Sequence, residues 1–328
     1  MAHNNPSPFE ITEGIKTVEG NIDLKMATAT IADVVAGKTF YAGTSELKTG
    51  TNRSGDLYNL RFYNDSTAEE LTTPDDIVDI PAYLFANIQT STQIKLSSNA
   101  EKIGDYCFYQ STLGGFSFNN TTKLTSLGHN AFGNSDISIN FSMLPDSLVT
   151  IGDYPFYNAT PTNEGYVKIP KNATNLGLYA LSANKYCEVP DGINWNDNQL
   201  FDMIPQFCFY YQAFHGEFRV PSHIHTIKNS AFFDAKFTKF VIPSTVTYLE
   251  NNFYCIAPDF ANKISKLDMI FESVTPPTFK STPFYYLNRL STDQLSIYVP
   301  DESLSAYTAV SQLSSYVKYI KPMSQLPE

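Results

Sequence analysis

The sequence predicts a solenoid: a parallel β-sheet built one short strand per turn, with short helical turns between strands. A small α/β module precedes it and a capping helix ends it. Three observations in the 328 residues predict this fold. A six-residue motif, apolar at its first position and large at its sixth, returns eight times, and fixed-period self-similarity is the signature of a stacked array. Between copies lies a short run alternating large apolar with polar residues, the pattern of a half-buried strand. Finally, 24 Phe and 21 Tyr against one Trp, 14% aromatic in all, exceed what a disordered chain carries and require a core.

The motif runs in order through Ile80-Pro-Ala-Tyr-Leu-Phe85, Ile103-Gly-Asp-Tyr-Cys-Phe108, Leu127-Gly-His-Asn-Ala-Phe132 and Ile151-Gly-Asp-Tyr-Pro-Phe156. Leu176-Gly-Leu-Tyr-Ala-Leu181, Ile204-Pro-Gln-Phe-Cys-Phe209, Ile227-Lys-Asn-Ser-Ala-Phe232 and Leu249-Glu-Asn-Asn-Phe-Tyr254 complete it. The steps between first positions are 23, 24, 24, 25, 28, 23 and 22 residues. The first residue enters the core, Gly at the second permits a tight backbone, and the sixth plugs the interior from a helical turn. Burying one such aromatic contributes roughly 1.5–3 kcal/mol. One turn cannot bury its own set, so stability is a sum over neighbours.

The strand slot is filled by Gln93–Leu96, Gly115–Phe118 and Asp136–Ile139, then by Tyr166–Pro170, Tyr186–Pro190, Glu217–Pro221 and Lys239–Pro243. Pro at the end of the later runs removes a ladder donor and stops the pairing.

Taken together, strand-Pro followed by Ile-Gly-x-x-Ala-Phe resembles the leucine-rich repeats of the BspA type, found in bacterial surface proteins and elsewhere. Pro243-Ser-Thr-Val-Thr-Tyr-Leu249 and Pro221-Ser-His-Ile-His-Thr-Ile227 resemble its inter-strand link. Thr275-Pro-Pro277, Ile297–Tyr307 and Tyr316–Ile320 resemble its terminal strand and capping helix. The resemblance covers roughly residues 77–323 and implies a leucine-rich-repeat solenoid of BspA type. Departures are Leu181 for Phe, Pro155 for Ala, and the long step around Trp195.

Residues 1–52 stand outside the repeat. Thr30–Asp33 offers a capping box with Asp for Glu, and Gly37 a helix stop, so Ile31 to Ala36 reads as helical turns. A hairpin-like unit follows through Gly43 and Gly50. Ala27–Tyr41 with Leu47–Thr51 resembles a module of bacteriophage tail and fibre proteins. That resemblance implies a virion-attachment or oligomerisation role, with Ile31, Val34, Val35, Phe40 and Leu47 as its apolar residues. The expected organisation is therefore 1–52 as that module, 53–76 as strand and linker, 77–290 as repeats and 291–328 as cap.

A net charge of −11 opposes nucleic-acid binding, which needs a basic field. No apolar run is long enough to cross a membrane, and the start Met1-Ala-His-Asn lacks the basic and apolar regions of a secretory signal. Cys107, Cys187, Cys208 and Cys255 show no metal-ligand spacing; Cys107 and Cys208 replace the Ala before the plug and read as small buried hydrophobes. Nucleophile-elbow, phosphate-loop and dinucleotide motifs are missing, and Asp105 and Asp153 share one repeat slot, so no catalytic residue is assigned. No cofactor is implied. His223 and His225, near His215, have alternate spacing compatible with a metal, but they align with the ordinary link residues Thr245 and Thr247.

Trp195, in the amide-rich stretch Asp191–Asn198 of the longest repeat, is a candidate ligand contact if that stretch protrudes, and a core plug if it folds back. Tyr210 and Tyr211, next to a plug, share that ambiguity. The two resemblances together imply a bacteriophage virion structural protein, a tail or head fibre. Its amino-terminal module would bind other virion proteins or form a homo-oligomer, and its array would bind host-cell glycan or protein without bond breaking. The alternative is a BspA-like adhesin at the bacterial cell surface.

Overall fold

A computed structural model describes residues 39–40, 48–49, 70–73, 75, 77–119, 121–161, 166–182, 187–189, 192–256 and 265–327. The chain divides into two units, Met1–Leu60 and Arg61–Glu328. In the first, Thr39–Phe40 pairs antiparallel with Lys48–Thr49, the described part of the hairpin-like unit. The expected helical turns over Ile31–Ala36 lie outside the described residues.

The second unit is the parallel solenoid. Its first row of strands carries the motif's leading residue: Asp79–Ile80, Lys102–Ile103, Ser126–Leu127, Thr150–Ile151 and Asn175–Leu176 form one sheet. Met203–Ile204, Thr226–Ile227, Tyr248–Leu249 and Thr278–Phe279 form another. That makes nine turns, one more than the motif marks, because Phe279 stands where the others carry Ile or Leu. The strand slot forms a second row, whose longest sheet joins Glu217–Arg219, Lys239–Ile242, Leu267–Phe271, Leu295–Val299 and Ile320–Pro322.

In three places the structure departs from the sequence reading. The links carrying the plug are not helical. The residue two places before each plug has a positive φ, between 48° and 59° at Tyr83, Tyr106, Asn130, Tyr154, Tyr179, Phe207, Ser230 and Asn252. These links bond sideways instead: Tyr106 N donates to His129 O (2.8 Å), Phe108 N to Ala131 O (2.7 Å) and Gln110 N to Gly133 O (2.9 Å). Alternate amides thus continue the inter-turn ladder, which an i→i−4 helix would forbid.

Glycine after the leading residue serves close approach rather than backbone freedom. A Cβ on Gly128 would lie 2.5 Å from Asp105 N, and one on Gly104 2.5 Å from Ala82 N.

Tyr186–Pro190 is not the slot strand of the longest repeat. Cys187–Val189 pairs with Gln212–Phe214, and Ile193–Asn194 takes the register of Val167–Lys168. The four added residues let the chain run further before entering the slot.

Plugs form the spine of the core. Phe85, Phe108, Phe132 and Phe156 stack in sequence with centroids 5.1, 4.9 and 5.7 Å apart. Leu181 interrupts the stack, still fully buried, and Phe209–Phe232 resumes it at 5.4 Å. At the carboxy end the short helix Leu304–Thr308 and the 3-10 segment Ser311–Tyr319 cap the last turn. Buried Tyr307 and Tyr316 anchor this cap by donating to Ser273 O (2.9 Å) and Phe284 O (3.0 Å).

Candidate functional site

Two places before the plug, the first, second, fourth, fifth and sixth copies carry a second aromatic, and the left-handed backbone there turns it away from the core. Tyr83 and Tyr106 stack at 5.0 Å, His129 bridges edge-on between Tyr106 (5.3 Å) and Tyr154 (5.9 Å), and Tyr154 stacks on Tyr179 at 4.8 Å. Tyr179 stacks on Phe207 at 4.4 Å. A parallel file one place past the plug adds Tyr109, Tyr157 and Tyr210 edge-on against the first. Tyr83 is 53% exposed and Tyr157 37%, while the other tyrosines of the two files are half-buried. The result is a continuous aromatic ladder along the face of the turns from the first motif copy to the sixth.

Burial first, then the neighbouring phenols of Tyr154, Tyr157 and Tyr211, push Tyr179 up to about 12. Burial and the Tyr211 hydroxyl push Tyr210 upward as well. These phenols therefore act as hydrogen-bond donors and acceptors across the physiological range. Stacking consumes ring faces, so what stays open is mainly edges and hydroxyls. Asp105 and Asp153 fasten the turns beneath: their carboxylates accept from His129 N (2.8 Å) and Leu178 N (2.7 Å).

Of the residues singled out from sequence, Tyr210 and Tyr211 lie at the end of this ladder, 4.2 Å apart and both against Phe233. Trp195 does not join them by any ring contact among the described residues. It follows Asn194, whose carbonyl accepts from Ile169 N (2.8 Å), and so takes the inward register of Ile169. Its ring sits 6.0 Å from Phe201, 6.5 Å from Phe209 and 6.5 Å from Phe218, with a buried Nε1 that has no partner among the described residues. His223 lies edge-on to Trp195 at 5.9 Å; burial, then the charge of His225, holds its imidazole below the usual value. His215 and His225 are exposed, and no group of three metal-capable side chains occurs among the described residues. Phe40 lies in the antiparallel pair of the first unit, whereas Ile31, Val34, Val35 and Leu47 fall outside the described residues.

The sequence reading overlooked the first file, Tyr83, Tyr106, Tyr154, Tyr179 and Phe207. Its signal was the recurring aromatic at the fourth motif position, which becomes meaningful only once the turn is known to be left-handed there.

A model of the BspA type leucine rich repeat region matches residues 55–188 and 125–259 in six copies. Among solved structures, a leucine rich cell surface protein from Faecalibacterium prausnitzii A2-165 aligns at 14% identity. The alignment covers 77% of this chain and 86% of that one, with a TM-score of 0.31. No curated protein matches the chain.

Proposed function

We propose that this chain, which belongs to the BspA type leucine-rich-repeat family, is a non-catalytic recognition protein displayed at a bacterial cell surface. Its partner is a protein, and the observation that carries this reading is the aromatic ladder. Edges and hydroxyls of Tyr83, Tyr106, Tyr154 and Tyr179 suit the mixed polar and apolar side chains of a protein, since tyrosine offers large contact area at small entropic cost. A sugar would need an open ring face, which stacking withholds. The residues that might have suggested catalysis, Asp105 and Asp153, are occupied in joining turns.

The test is adsorption of fluorescently labelled full-length chain to cells. The triple variant Tyr106→Ala, Tyr154→Ala, Tyr179→Ala should bind at least about tenfold more weakly, and protease treatment of the cells should remove binding. Undiminished binding by the variant, or binding lost only to glycosidase treatment, would refute the reading.

A second reading, an appendage of a bacteriophage particle, is favoured by the pattern of residues 27–51. In it residues 1–52 attach to other virion proteins or to further copies of the chain, 53–76 link, and 77–290 with the cap at 291–328 face the host. Immunogold labelling separates the two: label on particles supports the appendage, and label on cell envelopes the surface protein.

A further inference from the structure

Along the first strand row each turn hands two carbonyls to the next. Glu101 O accepts from Thr125 N (2.8 Å) and Ser126 N (3.3 Å), and Ile103 O accepts from Gly128 N (2.8 Å). The pattern repeats at Val149 and Ile151, and again at Asp202 and Ile204. It fails once, between Asn175–Leu176 and Met203–Ile204, where the row splits into two sheets. Thr174 O and Leu176 O, the equivalents of Glu101 O and Ile103 O, receive no backbone donor among the described residues. The N–H groups of Asp202 and Met203, equivalent to those of Thr125 and Ser126, reach no backbone acceptor among the described residues. Pro205 stands where Gly128 stands and has no N–H to give. Each strand is paired on its other side, with Thr150–Ile151 and Thr226–Ile227, so the unpaired groups face the break.

The break opens a cavity of about 440 Å³ whose lining includes Thr174, Leu176, Leu200, Phe201, Asp202 and Met203. Leu200 is 56% exposed and Met203 42%, so the lining presents two apolar side chains to water. The wall is held in place. The Asn198 amide donates to Pro170 O (2.7 Å) and Ala173 O (2.9 Å), while its Oδ1 accepts from Leu200 N (2.8 Å). Asp202 adds an exposed carboxylate on this rim with no ion-pair partner among the described residues. The one aromatic ring in the lining, Phe201, is half-buried, with Trp195 and His223 against it.

We propose that this break is a docking slot for an extended peptide segment of a protein partner, carrying a large apolar side chain beside a Lys or Arg. Main-chain groups of that segment would complete the interrupted ladder, as in strand addition to a sheet edge. The apolar side chain would cover Leu200 and Met203, and the cation would pair with Asp202. This deepens the reading that the array recognises a protein and rests on it.

The probe is a random heptapeptide display library selected on immobilised full-length chain, with the strongest sequence then synthesised in blocked form and as its N-methylated counterpart. Enriched sequences should pair a basic with a large apolar residue. Leu200→Asp, at an exposed position, should keep the wild-type circular dichroism spectrum and weaken the peptide at least about tenfold, as should N-methylation. Asp202→Asn should abolish the preference for the basic residue. Peptides that bind Leu200→Asp undiminished, or tolerate N-methylation, overturn the slot, as does a selection that enriches nothing. Cell adsorption measured in parallel separates the two ideas. If the chain adsorbs while the slot fails, recognition stands without it; if adsorption is absent while slot peptides bind, the cell-surface reading fails and the slot stands.

Discussion

Emptying the plug of the third motif copy tests the stacked-core argument most directly. Phe132 is fully buried, lies between Phe108 at 4.9 Å and Phe156 at 5.7 Å, and receives Phe116 edge-on at 4.9 Å. Phe→Ala in a packed core costs about 3–5 kcal/mol, and aromatic pairs add about 0.5–1.5 kcal/mol each beyond area. With these rings and Phe118, edge-on at 6.0 Å, all losing their partner, Phe132→Ala should fall at the upper end, about 4–5 kcal/mol. Phe132→Leu places there the residue that the fifth copy carries at Leu181, itself fully buried, and should cost under about 2 kcal/mol. Urea denaturation followed by far-ultraviolet circular dichroism reads the loss. The single tryptophan, Trp195, gives an independent fluorescence signal about two turns further along. Since turns couple mainly to neighbours, the Trp195 midpoint should move less than the circular dichroism midpoint. A Phe132→Ala cost below about 1 kcal/mol would refute the plug assignment, and equal shifts of both midpoints would refute nearest-neighbour coupling.

Three further outcomes follow from the same geometry. Gly128→Ala should destabilise by about 1–3 kcal/mol because its Cβ would lie 2.5 Å from Asp105 N, a backbone atom; a neutral or stabilising effect in thermal unfolding would contradict the close-approach argument. Cys107, Cys208 and Cys255 are buried, and burial raises the thiol values of Cys208 and Cys255. They should resist a water-soluble thiol reagent until urea is added, as counted by mass spectrometry, and more than one modified thiol in the native chain would show that one of the three is accessible. His223 is held below its usual value of 6.5, so the unfolded chain binds its proton first. Stability from the neutral ring is present above pH 6.5 and lost as pH falls through the window beneath it. His223→Leu should flatten the fall in urea midpoint between about pH 7 and 5.5, and identical slopes would overturn this.

The fold was legible because its signals are local and periodic. Leu or Ile at each first position and a large apolar residue, mostly Phe, at each sixth state the turn length and the inward residues without any knowledge of pairing. The strand slots were legible for the same reason, since alternation within four residues suffices. Two kinds of feature were not. Turn conformation depends on which carbonyl each amide finds, and Phe108 N finds Ala131 O in the next turn, a partner no local pattern announces. Register fails likewise in the longest repeat: Tyr186-Cys-Glu-Val-Pro190 has the better strand composition, but Ile193–Asn194 takes the slot beside Val167–Lys168. Of the candidate contacts, Tyr210 and Tyr211 joined a surface ladder whose other members required the left-handed turn to be visible.

The longest repeat links these failures to function. Placing Ile193–Asn194 in the slot points Trp195 inward, against Phe209 and Phe218. The same arrangement brings Pro205 into the first strand row at a position that needs an N–H, and the row cannot close there. An array of ideal 24-residue turns would have neither the enlarged core nor the open break. The irregular turn is therefore where the first strand row leaves backbone groups open for the proposed peptide. Restoring the donor with Pro205→Gly while shortening Asp191–Asn198 would close the row, and a closed row has no place for an extended peptide.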